Sequence, residues 1–179
     1  MDEFLWKKKI LIDDAGWGDL ILGVVIGALR LPDRRYMKRR IPVTSFQPPD
    51  FRNKKYLDDA VKIAKEIVQV MGADRETHFE VCSGYVLSSL REYLQNLGFH
   101  VEKVEVTGEL QDRVEGSFLE WCIEVGVPAN RLKGKRSFYT LLEWVGEKPE
   151  IREGLVKTGW KSWHKKWRKR VIKTKDFEI

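Results

Sequence analysis

KKKILIDDAGWGDLILGVVIGALR, residues 7–30, decides how the rest of the chain is read. A basic triplet leads into Ile10-Leu11-Ile12, and that apolar run ends on two adjacent acids, Asp13 and Asp14. A glycine turn, Ala15-Gly16-Trp17-Gly18-Asp19, separates it from a second apolar run, Leu20 to Leu31. Runs of this length bounded by glycine predict two antiparallel strands joined by a turn. The acids then stand at the carboxyl end of the first strand, where open α/β sheets place their chemistry. Two carboxylates side by side repel unless a proton or a metal cation lies between them. A solvated turn in which Asp13 or Asp14 caps backbone N–H groups has the same local pattern.

Working outward, Pro32-Asp33 marks a turn, and Arg35 to Phe46 predicts a third strand, with Pro42 suggesting an edge or a bulge. Leu57, Ala60, Val61, Ala64, Ile67, Val68 and Met71 recur at helical spacing, so a helix is expected over 53–71, stopped by Gly72. Thr77 to Cys82 reads as a fourth strand, Val86 to Asn96 as a helix and Phe99 to Val106 as a fifth strand. That is one βαβ unit, and its crossover makes the two strands parallel. A helix from about Leu110 to Val125 follows, then helices over Arg136–Val145 and Leu155–Lys173. The expected fold is α/β: a mixed five-stranded sheet, a three-stranded meander plus two parallel strands, flanked by helices. Residues 1–128 form this domain, and 129–179 form a helical, basic, Trp-rich extension packed on it.

The chain of 179 residues is long enough for a substantial core, and 42% apolar with 34% charged residues is the composition of a soluble globular protein. No apolar run reaches the roughly eighteen residues a bilayer span needs, so a membrane protein is not expected. MDEFLWKKK lacks a signal-peptide core, and Cys82 and Cys122 make neither a disulfide framework nor a zinc-ligand spacing. A reducing cytoplasm is the expected setting. Net charge is +6, yet residues 155–175 hold nine Lys or Arg and no acid, so the basicity belongs to the tail.

The opening motif resembles that of type 2 ribonucleases H, where a strand ends in Asp-Glu-Ala-Gly-Arg-Gly before a glycine-containing apolar strand. Here the same place reads Asp13-Asp14-Ala15-Gly16-Trp17-Gly18 and then Leu20-Ile21-Leu22-Gly23-Val24-Val25. The order of elements over roughly residues 7–126 is also similar to the ribonuclease H-like superfamily. The resemblance implies a metal-dependent nuclease, with acids on strand one, at the end of strand four and in the helix after strand five. Magnesium or manganese would be the cofactor, because hard cations take oxygen ligands and two-metal phosphodiester cleavage needs several converging carboxylates. Asp13 and Asp14 fill the first place. Glu80 is similar in register to the strand-four Glu of RuvC-like resolvases, whereas the type 2 register puts Ser83-Gly84 where an Asp-Gly pair is usual. After strand five, Glu109 and Asp112 share a helix face, with Asp112 the preferred ligand; both also suit the helix macrodipole. Trp17 replaces the family's phosphate-approaching Arg, so the family's substrate preference does not carry over.

Trp160, Trp163, Trp167 and Val171 form one helical stripe, the pattern of a docking face packed on the sheet. Lys161, Lys165, Lys166, Arg168, Lys169 and Arg170 occupy the remaining face. A basic face without acids suggests phosphate contacts, with Trp17 as a further contact, and nucleic acid as the partner. An amphipathic membrane-surface helix has the same signature. The expected activity is metal-dependent hydrolysis of nucleic acid, and the competing reading is a catalytically degenerate member that binds nucleic acid or protein. An actin-like ATP-binding protein also has a strand ending in Asp and a glycine turn, but it needs two such domains and this chain has room for one.

Overall fold

The computed structural model describes residues 8–134 and 137–173. Arg136, where a helix was expected to begin, and the last basic residues of the tail lie outside the described residues.

The strands are β1 (Lys8–Ala15), β2 (Val24–Leu31), β3 (Arg35–Ile41), β4 (Thr77–Cys82) and β5 (His100–Val104). They form one sheet in the order β3-β2-β1-β4-β5. β1 and β3 run antiparallel to β2, while β1, β4 and β5 are mutually parallel neighbours. This is the expected meander extended by two parallel strands. β1 is central because both of its faces are needed. Ile10 and Ile12 point into one apolar cluster with Phe79 and Val81 of β4, while Ala15 joins a second cluster on the opposite face.

Helices α1 (Lys55–Val70) and α2 (Ser88–Asn96) cover the first face through Ala60, Ile63, Ala64, Ile67, Leu90 and Leu94. Helix α3 (Glu109–Glu124) covers the second with Leu110, Val114, Phe118 and Cys122. It comes close to the sheet at Gly27, where an added Cβ would lie 2.3 Å from Cγ1 of Val114. Helices α4 (Phe138–Glu147), α5 (Pro149–Arg152) and α6 (Arg168–Lys173) follow. Leu141, Trp144, Val145, Val156, Trp163 and Val171 share the second cluster with Val25 and Phe118, so the C-terminal residues complete the core over α3. Ser137 caps α4 by accepting from the backbone N–H groups of Tyr139 and Thr140. No helix among the described residues is long and apolar enough to cross a membrane.

Three expected boundaries shift. The run from Leu20 to Leu31 is not one strand, because Leu22 has φ of 65° and the ladder starts only at Val24. Residues 20–22 instead meet 155–157: Ile21 bridges Val156, Leu22 N–H donates to the Leu155 carbonyl at 2.7 Å, and Lys157 N–H donates to the Leu20 carbonyl at 3.0 Å. The same bridge holds Val156 extended, directly after a 3-10 turn over Glu153–Leu155, and delays the last helix expected from Leu155. A π-helical turn over Trp163–Trp167 runs into α6. β3 ends at Ile41, since Pro42 has no N–H for the ladder, and a 3-10 turn takes Val43–Phe46.

Candidate functional site

The carboxyl ends of the parallel strands β1 and β4 lie side by side, and the two acids stand at the first of them. Asp13 pairs across β2 with Gly27 and Asp14 with Ile26. Alternation sends the two side chains toward opposite faces: Asp13 toward α3, Asp14 toward α2. At the strand end they still converge, and an oxygen of each and the Cys82 Sγ all lie within 4.8 Å of one another.

Burial dominates the electrostatics of this group. Asp13 is 5% exposed, and its pKa is raised, first by burial and also by Glu115, against the lowering effect of hydrogen bonds from the Asp14 backbone and the Cys82 thiol. Asp14 is pushed up to about 7 by burial, by Asp13 and by Glu115, with Arg91 acting in the opposite sense. Burial also raises the Cys82 thiol, and the Asp13 and Asp14 charges add to it. The thiol therefore stays protonated beside Asp13. Arg91 Nη1 donates to the carbonyls of Cys82 at 2.5 Å and Gly84 at 3.1 Å, which fixes the end of β4. Gly84 lets the end of β4 approach Asp14 closely: a Cβ there would lie 2.9 Å from Oδ1 of Asp14.

Of the acids expected elsewhere, neither Glu109 nor Asp112 joins the close group of Asp13, Asp14 and Cys82. Glu80 is on the same face of β4 as Cys82 but opposite Leu11, two residues earlier, about 6.6 Å along the strand. There it takes a salt bridge from Lys9 at 2.5 Å and joins a second group with His78 and Glu102. Glu109 is ion-paired to Arg34 at 2.9 Å and Arg113 at 2.7 Å, and Asp112 is exposed on the first turn of α3. The α3 carboxylate whose charge reaches both Asp13 and Asp14 is Glu115. Its signal was present in the sequence: buried Val114 and Phe118 flank it, which puts residue 115 at the border of the buried stripe.

Trp17 lies half-buried among rings, 5.4 Å from Tyr56, 5.9 Å from Phe46 and 6.1 Å from Tyr85. Lys157 holds the turn that carries Trp17. It is fully buried, and its Nζ donates to the carbonyls of Gly16 at 2.9 Å, Asp19 at 2.6 Å and Ile21 at 3.2 Å. Nothing local in the sequence marks this lysine off from the exposed ones after it.

The tail divides as its pattern suggests. Trp163 and Val171 are buried, whereas Trp160 and Trp167 are half-covered. Lys161, Lys165, Lys166, Lys169 and Arg170 are exposed, and Arg168 is exposed too but paired with Glu153 at 2.6 Å. Lys166 and Arg170 lie over the Trp167 ring at 4.3 Å and 5.3 Å.

The donor set fits a divalent cation held through Asp13 and Asp14: adjacent oxygens, a space where a Cβ would stand, and a carboxyl that gains by exchanging its proton for a metal. No protein-family model matches the chain, and no curated protein matches it either.

Proposed function

We propose that this protein is a metal-dependent nuclease of the ribonuclease H-like type, hydrolysing phosphodiester bonds in nucleic acid. The observation that carries this reading is the meeting of Asp13 and Asp14 at the carboxyl end of the central strand, under the field of Glu115. Asp13 and Asp14 would hold magnesium or manganese. A bound cation would supply an activated water and charge neutralisation at the phosphate. Asp14 must release its proton for the site to load, which ties loading to pH near neutrality. The Cys82 thiol donates to Asp13 and fixes the orientation of that carboxylate. Glu115 supplies a third negative charge, which acts on both Asp13 and Asp14.

The test is cleavage of labelled DNA, RNA and hybrid strands with magnesium or manganese. Asp13→Asn and Glu115→Gln should each lower the rate about a hundredfold or more, and Asp112→Asn should leave it unchanged. Loss with Asp112→Asn but not with Glu115→Gln would refute the assignment. One observation favours a second reading, a degenerate binding module. Cys82 follows Val81, the partner of Ile12, so a thiol stands beside Asp13 where a third hard oxygen ligand would serve better. Undiminished oligonucleotide binding without cleavage under any metal would establish that reading.

A further inference from the structure

A groove of about 820 Å³ opens between the loop before α1 and the start of the C-terminal helix, lined by Phe51, Arg52, Gly159, Trp160, Lys161 and Ser162. Two chain segments more than a hundred residues apart build it, and they are pinned together. Gly159 N–H donates to the Phe46 carbonyl at 2.9 Å, and a Cβ on Gly159 would lie 2.5 Å from Cβ of Phe51. The lining combines two aromatic rings with two cations and has no carboxylate.

The groove is joined to the acids by a run of rings. Phe51 stacks on Tyr56 at 5.6 Å, Tyr56 packs against Trp17 at 5.4 Å, and Trp17 lies 6.1 Å from Tyr85. Tyr85 is 47% exposed and follows Gly84, which rests against Asp14. Lys54 Nζ lies 5.8 Å over the Tyr85 ring, adding a cation along the way.

Charge separates this path from the basic surface of β3. Three cations of β3 are neutralised: Lys38 pairs with Glu120 at 3.1 Å, Arg39 with Glu66 at 2.6 Å and Arg40 with Glu124 at 2.8 Å. Among the described residues, no carboxylate pairs with Arg52 or Lys161. Rings interleaved with available cations are the recognition chemistry of unpaired nucleic acid, whose bases can leave their stack and lie on aromatic faces while phosphates meet Lys and Arg. A duplex keeps its base faces stacked and cannot use the rings.

We propose that the groove between Phe51-Arg52 and Trp160-Lys161 is a binding site for single-stranded nucleic acid, from which the strand passes over Trp17 and Tyr85 to Asp13 and Asp14. The proposal rests on the nuclease reading for its direction but not for its binding chemistry. Trp160 and Phe51 take bases, and Arg52 and Lys161 take phosphate.

Fluorescence anisotropy of a short labelled oligothymidylate in EDTA reads binding without cleavage. Trp160→Ala should weaken the single strand about tenfold. Arg52→Glu with Lys161→Glu should weaken it at least as much and flatten the log–log salt slope by roughly 1.4. The same variants should leave a blunt duplex nearly unchanged. The assay in EDTA needs no cation, so a wild type that binds the single strand but cleaves nothing with any metal fails the nuclease reading and keeps this one. Should Trp160→Ala fail to fold, the exposed double variant decides the question. The proposal is overturned if wild type binds no single strand, if both groove variants bind like wild type, if duplex binding falls in parallel, or if a mononucleotide binds as tightly as the oligomer.

Discussion

Gly84 faces Asp14 so closely that the Cβ of an alanine would lie 2.9 Å from Oδ1 of the carboxyl. Its backbone, φ −51° and ψ 143°, suits any residue, so the constraint is space and not conformation. Gly84→Ala should therefore cost little stability while turning the Asp14 carboxyl aside. The expected result is a fall of about tenfold or more in manganese affinity by calorimetry, with a melting temperature close to wild type. Gly18→Ala serves as the control, since its Cβ would meet nothing within 4 Å. Equal affinity in all three proteins would show that Asp14 does not hold the cation.

Asp14 makes the metal-free protein less stable as pH rises. Its carboxyl ordinarily titrates at 3.8 and is pushed up to about 7 by burial, then by Asp13 and Glu115. Between those values the folded state holds a proton that the unfolded chain has released. The contribution of Asp14 to stability is largest below about pH 4, falls as pH rises toward 7 by at most about 1.4 kcal/mol per unit, and levels off above. Asp14→Asn removes this dependence. In EDTA, its melting temperature should overtake that of wild type as pH is raised from 5 to 8. Parallel curves for the two proteins would contradict the raised pKa.

The parts of this architecture that the sequence carried openly are those set by short-range pattern. β1 and β4 alternate apolar residues onto one face, Ile10 and Ile12 beside Phe79 and Val81, and the α1 stripe from Tyr56 to Ile67 repeats at helical spacing. The central placement of β1 beside β4 follows from these. What stayed hidden depends on contacts between distant residues. Leu20 to Leu22 leave the expected strand because residues 155–157 bind them, and no local signal announces that partner. Within the site, the face of β4 was legible but the level was not: Glu80 and Cys82 share a face, and register puts Cys82 beside Asp13. In α3, where Val114 and Phe118 are buried, Glu115 is the carboxylate whose charge acts on Asp13 and Asp14.

Lys157 joins the C-terminal segment to the turn after the acids by donating to three carbonyls. Replacing it with methionine keeps the aliphatic stem but leaves Gly16, Asp19 and Ile21 without that donor in a buried place. The cost should be about 3 kcal/mol or more, lowering the melting temperature by about 6–12 °C. Manganese affinity should fall as well, because the Gly16 turn leads directly from Asp14. A Lys157→Met protein as stable as wild type would mean that water replaces the ammonium without penalty.

Trp163 and the exposed lysines around it should respond in opposite ways to mutation. Trp163 is 1% exposed, and its Nε1 donates to Glu153 Oε1 at 3.1 Å, the same oxygen that Arg168 reaches at 2.6 Å. Trp163→Ala removes a filled core position and should cost about 3–5 kcal/mol. Lys165 and Lys169 are exposed, so reversing both charges should barely move the melting temperature. If they contact phosphates, the double reversal should flatten the log–log salt slope of oligonucleotide binding by roughly 1.4–1.8, from about 0.7–0.9 per contact. This effect should reach duplex and single strand alike, because exposed lysines read charge and not base faces. Unchanged binding at about 50 mM salt would remove Lys165 and Lys169 from the nucleic-acid surface.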